Sequence, residues 1–237
     1  MMAVQKPESK TNKFKTFKDV FDASAERVLF KLQSQGYFER LESPISIGKE
    51  SNIFTAIRAD GMRVILKMYR VSNCDFNKMY SYMKEDPRFT GVKPNQRQVV
   101  FAWARREYVN LLKARSANVS VPTPFVVMKN IVVMEFIGNG DPSPKLKDAL
   151  PKDPRAFYNE VVANYKKLFA AGMVHGDLSP FNILTHHEHP VFIDMSQSTT
   201  LDNPQAENYL KRDARNLAVF FNKLGVRAEG FIESVTS

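Results

Sequence analysis

The chain has 237 residues, 43% of them hydrophobic and 25% charged, with a formal net charge of +9 and a single cysteine, Cys74. This composition fits one two-lobed globular unit, excludes an intrachain disulfide and a cysteine metal cluster, and gives a positive surface potential suited to polyanions. No apolar run approaches bilayer-spanning length and Met1 to Lys15 has no apolar signal core, so a cytoplasmic protein with no membrane or disulfide partner is expected.

Met1 to Phe17 is polar and lysine-rich and reads as a basic arm. From Asp19 to Gln35 the apolar residues Val20, Phe21, Val28, Leu29 and Leu32 recur at helical spacing, and Gly36 is a natural stop. Ile45 to Ala56 reads as strand, small turn and strand, and Asp60-Gly61 then signals a hairpin into a third strand, Arg63 to Tyr69. Backbone N–H groups around Ser46, Gly48 and Ser51 are able to cradle an anion, although with one glycine the stretch reads equally as a plain hairpin. Lys67 tips the balance, because it follows the apolar triplet Val64-Ile65-Leu66 as does the strand lysine that pairs with nucleotide phosphates.

Such a lysine needs a carboxylate to hold it. Asn95 to Ala114 reads as a helix carrying Glu107, the candidate partner; an ordinary surface carboxylate paired along the helix is the alternative. Between them, Arg70 to Pro94 reads as a long functional or mobile connection. Pro124–Met128 and Asn130–Ile137 read as two strands, Gly138 to Pro144 as a hinge, and Arg155 to Gly172 as an amphipathic helix.

The chemistry concentrates in His175-Gly176-Asp177-Leu178-Ser179-Pro180-Phe181-Asn182-Ile183-Leu184, followed by Val191-Phe192-Ile193-Asp194. In kinase-like sites the first Asp, here Asp177, orients or deprotonates the attacking group, while an Asn five positions on and a later Asp hold Mg2+ on a triphosphate. Asn182 and Asp194 have those positions. Either half alone is common by chance, and an Asp after a strand often merely starts a turn.

Taken together, Ser46-Ile47-Gly48-Lys49-Glu50-Ser51-Asn52, Lys67, Asp86-Pro87-Arg88-Phe89, Trp103-Ala104-Arg105-Arg106-Glu107, His175 to Leu184 and Ile193-Asp194-Met195-Ser196-Gln197 resemble the RIO family of atypical serine/threonine kinases, most nearly its Rio-one subfamily. Ser51 departs mildly from the alanine frequent there. The resemblance spans Ile45 to the C-terminus and implies an α+β, small bilobal protein-kinase-like fold: an antiparallel N-lobe sheet plus helix, and a reduced, mainly helical C-lobe. The expected division is 1–40 for the arm and first helix, 41–137 for the N-lobe and 138–237 for the C-lobe.

By the same resemblance, ATP with Mg2+ (or Mn2+) would bind under the loop Gly48-Lys49-Glu50-Ser51-Asn52. The carbonyl of Glu135 and N–H of Ile137 would meet adenine between Ile47, Ile65, Met134, Leu184 and Ile193. The resemblance also implies a role on the immature small ribosomal subunit and its rRNA, autophosphorylation, and an aspartyl-phosphate on Asp194. After Asp194, a loop and one final helix are expected, capped by Asp202 or Asn203 with Pro204 in its first turn and with no peptide-docking shelf. Two other functions compete: a small-molecule phosphotransferase of the aminoglycoside or choline kinase type, and a catalytically silent scaffold on rRNA.

Overall fold

Along the central strands every second side chain is buried against a different layer, and this period of two builds the N-terminal half. A computed structural model describes residues 23–72, 74–89 and 91–237. The basic arm and the positions of Val20 and Phe21 lie outside the described residues.

Helix α1 (Ala23–Ser34) leads into strands β1 (Arg40–Ile47), β2 (Ser51–Ile57) and β3 (Arg63–Tyr69). With β4 (Pro124–Met128) and β5 (Ile131–Glu135) they form an antiparallel sheet in the order β1-β2-β3-β5-β4. Val64, Leu66 and Met68 of β3, Phe54 and Ala56 of β2, and Ile131 and Val133 of β5 meet Val28, Leu29 and Leu32 of α1 in one apolar core. The alternate residues of β3 and β5, among them Lys67, Tyr69, Val132 and Met134, therefore face the opposite side. That side packs on α3 (Gln96–Ser116) and opens into the cleft. Asn95 caps α3, its side chain accepting from Gln98 N at 3.2 Å.

The connection from Arg70 to Pro94, expected to be a loop, contains a helix. α2 (Phe76–Glu85) starts at Asp75, whose carboxylate accepts from Lys78 N at 3.0 Å, and a single 3-10 turn, Pro87–Phe89, follows it. Met79, Tyr82 and Met83 bury one face of α2 in the larger core, at the spacing an amphipathic helix requires.

After β5 the chain makes a minimal hairpin, β6 (Gly138–Asn139) with β7 (Asp141–Pro142), where a plain hinge was expected. α4 (Pro154–Ala170), capped by Asp153, precedes the short β8 (Met173–Val174). Strands β9 (Ile183–His186) and β10 (His189–Phe192) form a hairpin, and β11 (Thr199–Thr200) pairs back with β8. Two helices close the chain, α5 (Ala206–Lys223) and the short α6 (Phe231–Thr236), where one was expected. The start of α5 also differs: Gln205 occupies the cap without a side-chain bond to the helix backbone, and Asn203 instead accepts from Gln205 N at 2.8 Å, closing the turn before the helix.

Candidate active site

Lys67 points into the cleft because it shares the parity of Ile65 and Tyr69 on β3. Its Nζ lies 2.7 Å from Glu107 Oε1 on α3 and 3.0 Å from Asp194 Oδ1. The second oxygen of Glu107 accepts from Tyr69 Oη at 2.5 Å. Burial pulls the Lys67 ammonium down, but the Asp194 and Glu107 carboxylates outweigh it and hold it well above its ordinary value. Burial likewise opposes ionisation of Asp194, and Lys67 and the Ser196 hydroxyl overcome that, bringing its carboxyl down to about 2. The lysine is thus held charged between two carboxylates, while burial raises the Glu107 carboxyl above its ordinary value against the pull of Lys67.

Asp194 sits in the left-handed region, at φ 59°, a conformation disfavoured for a residue with a Cβ. The β9–β10 hairpin brings it to Asn182. Ile183 pairs with Phe192, and Ile193 N donates to Asn182 O at 2.9 Å, so the residues flanking the hairpin's open end converge. Asn182 Nδ2 donates to Asp177 O at 2.8 Å and to Asp177 Oδ2 at 3.2 Å. With its amide nitrogen so engaged, Asn182 has its oxygen left for a cation. On Asp194, Lys67 and Ser196 both meet Oδ1, which leaves Oδ2. Two hard oxygens from a carboxylate and an amide fit Mg2+, which takes few protein ligands and completes its shell with water and phosphate.

Asp177 is held by its neighbours' backbones. Gly176 N and Leu178 N donate to Asp213 of α5 at 2.8 and 2.7 Å, and Tyr165 Oη donates to the same carboxylate at 2.7 Å. Burial pushes the Asp213 carboxyl up to about 7, while these three donors favour its ionised form. Gly176 has no substitute here: its φ is +79° and a Cβ would stand 2.9 Å from Gln197 O. His175 is fully buried and burial lowers its pKa to about 4, so the ring is neutral. Its Nδ1 accepts from Asp177 N at 3.3 Å, which assigns the proton to Nε2, 3.1 Å from Ile193 O. One imidazole therefore ties the loop of Asp177 to the segment of Asp194. Burial, and then the Asp194 charge, raise the Asp177 carboxyl above its ordinary value.

A cavity of about 410 Å³ runs from Lys67, Asn182 and Asp194 to the hinge, and Asp177 lies just outside it, joined to it through Asn182. Of the residues singled out in the sequence, Ser46, Ile65, Lys67, Glu107, Met134, Glu135, Ile137, Asn182, Leu184, Ile193 and Asp194 line it. Ile47 and Asn52 do not. They pair with each other across β1 and β2, and Asn52 pairs with Met68, so both take the α1 side of the sheet. The wall comes instead from Ile45, Ser46 and Ile53, because register shifts between Leu41 and Ser46 bring Ile45 round to the cleft. Gly48, Lys49, Glu50 and Ser51 form the turn beyond the cavity, where Gly48 N donates to Ser51 O at 3.0 Å and a Cβ on Gly48 would stand 2.9 Å from that oxygen. At the hinge, the Ile137 carbonyl accepts from Ser143 N at 2.9 Å.

A second layer had no assigned role in the sequence. Asp86, fully buried, accepts from Arg88 Nε at 2.9 Å and Arg88 Nη2 at 2.7 Å, and lies 3.2 Å from Arg106 Nε. Arg106 has no exposed surface and burial lowers its guanidinium to about 10, still charged at neutral pH. Arg106 donates to Gln197 O, while Asn110 donates to Met195 O and Ser198 O at 2.8 and 2.7 Å. This network fixes the turn that follows Asp194 to α3.

A family profile described as RIO domain matches residues 52–233. The chain belongs to the RIO family. It is 40% identical over 221 residues to the RIO-type serine/threonine-protein kinase Rio1 of Haloferax volcanii, covering 92% of this chain and 76% of that one. It is 38% identical to the Rio1 kinase of Methanocaldococcus jannaschii, covering 88% and 72%. The human serine/threonine-protein kinase RIO1 is 33% identical over 89% of this chain and 38% of its own. Among solved structures, the Rio2 kinase–ADP/Mg2+–phosphoaspartate complex of Chaetomium thermophilum superposes with a TM-score of 0.68 at 21% identity, over 88% of this chain. The chain spans 64% of that structure's length, and the likeness bears out the kinase-like fold. The RIO match thus comprises most of the sheet, most of the cleft, α5 and the first half of α6.

Proposed function

We propose that this RIO-type serine/threonine kinase binds Mg2+–ATP in the cleft between the sheet and the β9–β10 hairpin and transfers the γ-phosphoryl group there. The observation that carries the reading is the meeting of Lys67, held by Glu107, with Asp194, while Asp177 and Asn182 join the same site by hydrogen bonds. Lys67 supplies a fixed positive charge for the phosphates. Asn182 and Asp194 would hold Mg2+, which neutralises charge on the triphosphate when bound. Asp177 orients the acceptor hydroxyl and takes up its proton as the oxygen–phosphorus bond forms and the bond to ADP breaks. The apolar walls Ile45, Ile65, Met134, Leu184 and Ile193 suit a purine ring, with backbone groups of Glu135 and Ile137 at its edge. The sheet and the helical half divide best at Ile137/Gly138, with α1 belonging to the N-lobe because it shares that core.

A second outcome of the same site is favoured by the Asp194 side chain, which keeps 40% of its surface exposed beside the cavity. Its free carboxylate oxygen can attack the γ-phosphorus, displacing ADP and leaving an acyl phosphate that water then hydrolyses. The enzyme then works as a slow ATP-dependent switch, with immature small ribosomal subunits and their rRNA as its partner. Titrating Mg2+–ATP into the protein by calorimetry, with and without EDTA, tests the site. The expected result is magnesium-dependent binding that Lys67→Ala weakens at least about tenfold through loss of a charge-assisted contact. Unchanged affinity in Lys67→Ala contradicts the assignment. Incubation with γ-labelled ATP separates the outcomes, since hydroxylamine removes label from an aspartyl-phosphate and leaves phosphoserine intact.

A further inference from the structure

Asp177 projects from a short loop, where nothing in the backbone alone fixes its side chain. Two amides do. Asn182 Nδ2 reaches its Oδ2 at 3.2 Å, and Gln197 Nε2 reaches the same Oδ2 at 3.0 Å. Gln197 is itself oriented, because its Oε1 accepts from Arg212 Nη2 at 3.2 Å. Turning this amide over would set its NH2 against a guanidinium and its oxygen against a carboxylate, so the partners' charges determine which end faces Asp177. Arg212 is fixed in turn by the Gly176 carbonyl and by the Tyr82 hydroxyl of α2, at 3.2 and 3.3 Å from its two terminal nitrogens. The Gln197 main chain is pinned too, its carbonyl accepting from the buried Arg106 at 3.3 Å.

We propose that Gln197 is a positioning residue for phosphoryl transfer: its amide holds Asp177 by Oδ2, so that Oδ1 is the oxygen presented to the acceptor hydroxyl. Among the described residues, both amide donors that reach the carboxylate converge on Oδ2. The inference rests on the reading of Asp177 as the group that orients the acceptor. Gln197, like Asp177, lies outside the nucleotide cavity and reaches the site through the Asp177 carboxylate, so its effect is expected in the transfer step. Its influence passes through Asp177, and the chain Tyr82–Arg212–Gln197–Asp177 connects α2 to the reacting centre.

Two substitutions of similar length test this, Gln197→Met and Gln197→Glu, with kcat and KM for Mg2+–ATP measured beside direct ATP binding. Positioning predicts ATP affinity within about twofold of wild type and kcat lower by about tenfold in Gln197→Met. Gln197→Glu should be slower still, since it sets a like charge against Asp177 Oδ2. A role limited to holding Arg212 predicts the reverse order, because a carboxylate is a better guanidinium acceptor than a thioether. The inference is overturned if Gln197→Glu turns over as fast as Gln197→Met or faster, if the loss appears in ATP affinity with kcat kept, or if Gln197→Met retains the wild-type kcat. Should Gln197→Met fail to fold, Gln197→Glu against wild type still decides, with near-wild-type kcat overturning the inference. A wild type that does not turn over ATP defeats the reading of Asp177 itself. Turnover abolished by Asp177→Asn but untouched in both Gln197 variants defeats only the role of Gln197.

Discussion

Lys67, Asp194 and His175 show how single side chains in this cleft are set by burial and charge together. His175 gives a pH dependence with a definite sign. Its folded pKa of about 4 lies below the roughly 6.5 of a free histidine, so the folded state binds fewer protons. The stability it contributes is complete above about pH 6.5 and is lost as pH falls toward 4, about 3 kcal/mol in all. Urea unfolding at pH 7.5 and pH 4.5 checks this: replacing His175 by Asn should flatten the difference, and an unchanged slope would contradict a neutral buried ring. The four residues with the clearest chemistry, Lys67, Asp177, Asn182 and Asp194, were legible because each follows an apolar run or a fixed loop spacing. Ile47 and Asn52 entered through the family resemblance; Asn52 pairs with Met68 in an unbroken β2–β3 ladder and Ile47 pairs with Asn52, which turns both toward α1. The presence of Ile45 in the cleft was not legible, because it depends on register shifts in β1 at which no residue type in Glu42-Ser43-Pro44-Ile45 except the proline hints.

At the scale of elements, the structure adds α2 and the buried ionic network beneath the Asp194 turn. α2 had a signal in Asp75 followed by Phe76, Met79, Tyr80 and Met83, a cap and a helical stripe, which the length of the connection obscured. The roles of Asp86 and Arg106 had none, since nothing in the sequence pairs residues of a 3-10 turn and a helix across a core. Asp86→Ala should therefore cost about 3–5 kcal/mol, because it strands a buried guanidinium. Chemical denaturation measures that cost, and a loss under about 1 kcal/mol, typical of exposed pairs, would mean that the network contributes little. α1 offers a parallel test on the other face of the sheet. Leu29→Ala, at a side chain with no exposed surface, is expected to cost about 2–5 kcal/mol while leaving ATP affinity unchanged.

For the whole molecule, the two apolar cores meet at the central sheet, and the cleft opens where β3 and β5 turn their alternate residues away from α1. No helix among the described residues is long and apolar enough to cross a membrane. The net charge of +9 belongs to this scale as well. If it serves an RNA partner, association with small-subunit RNA should weaken steeply between about 50 and 200 mM salt as counterions are released; salt-insensitive association would leave the charge to solubility. The central claim, that this cleft carries out phosphoryl transfer with Asp177 acting on the acceptor and Lys67 and Asp194 on the phosphates, is tested most directly by Mg2+-dependent release or transfer of the γ-phosphate from labelled ATP by wild type and Asp177→Asn, with ATP binding measured on the same samples. Asp177→Asn is expected still to bind ATP but to lose at least about a hundredfold in turnover, within the range of a positioned acid–base group. Equal turnover in the two proteins would contradict it.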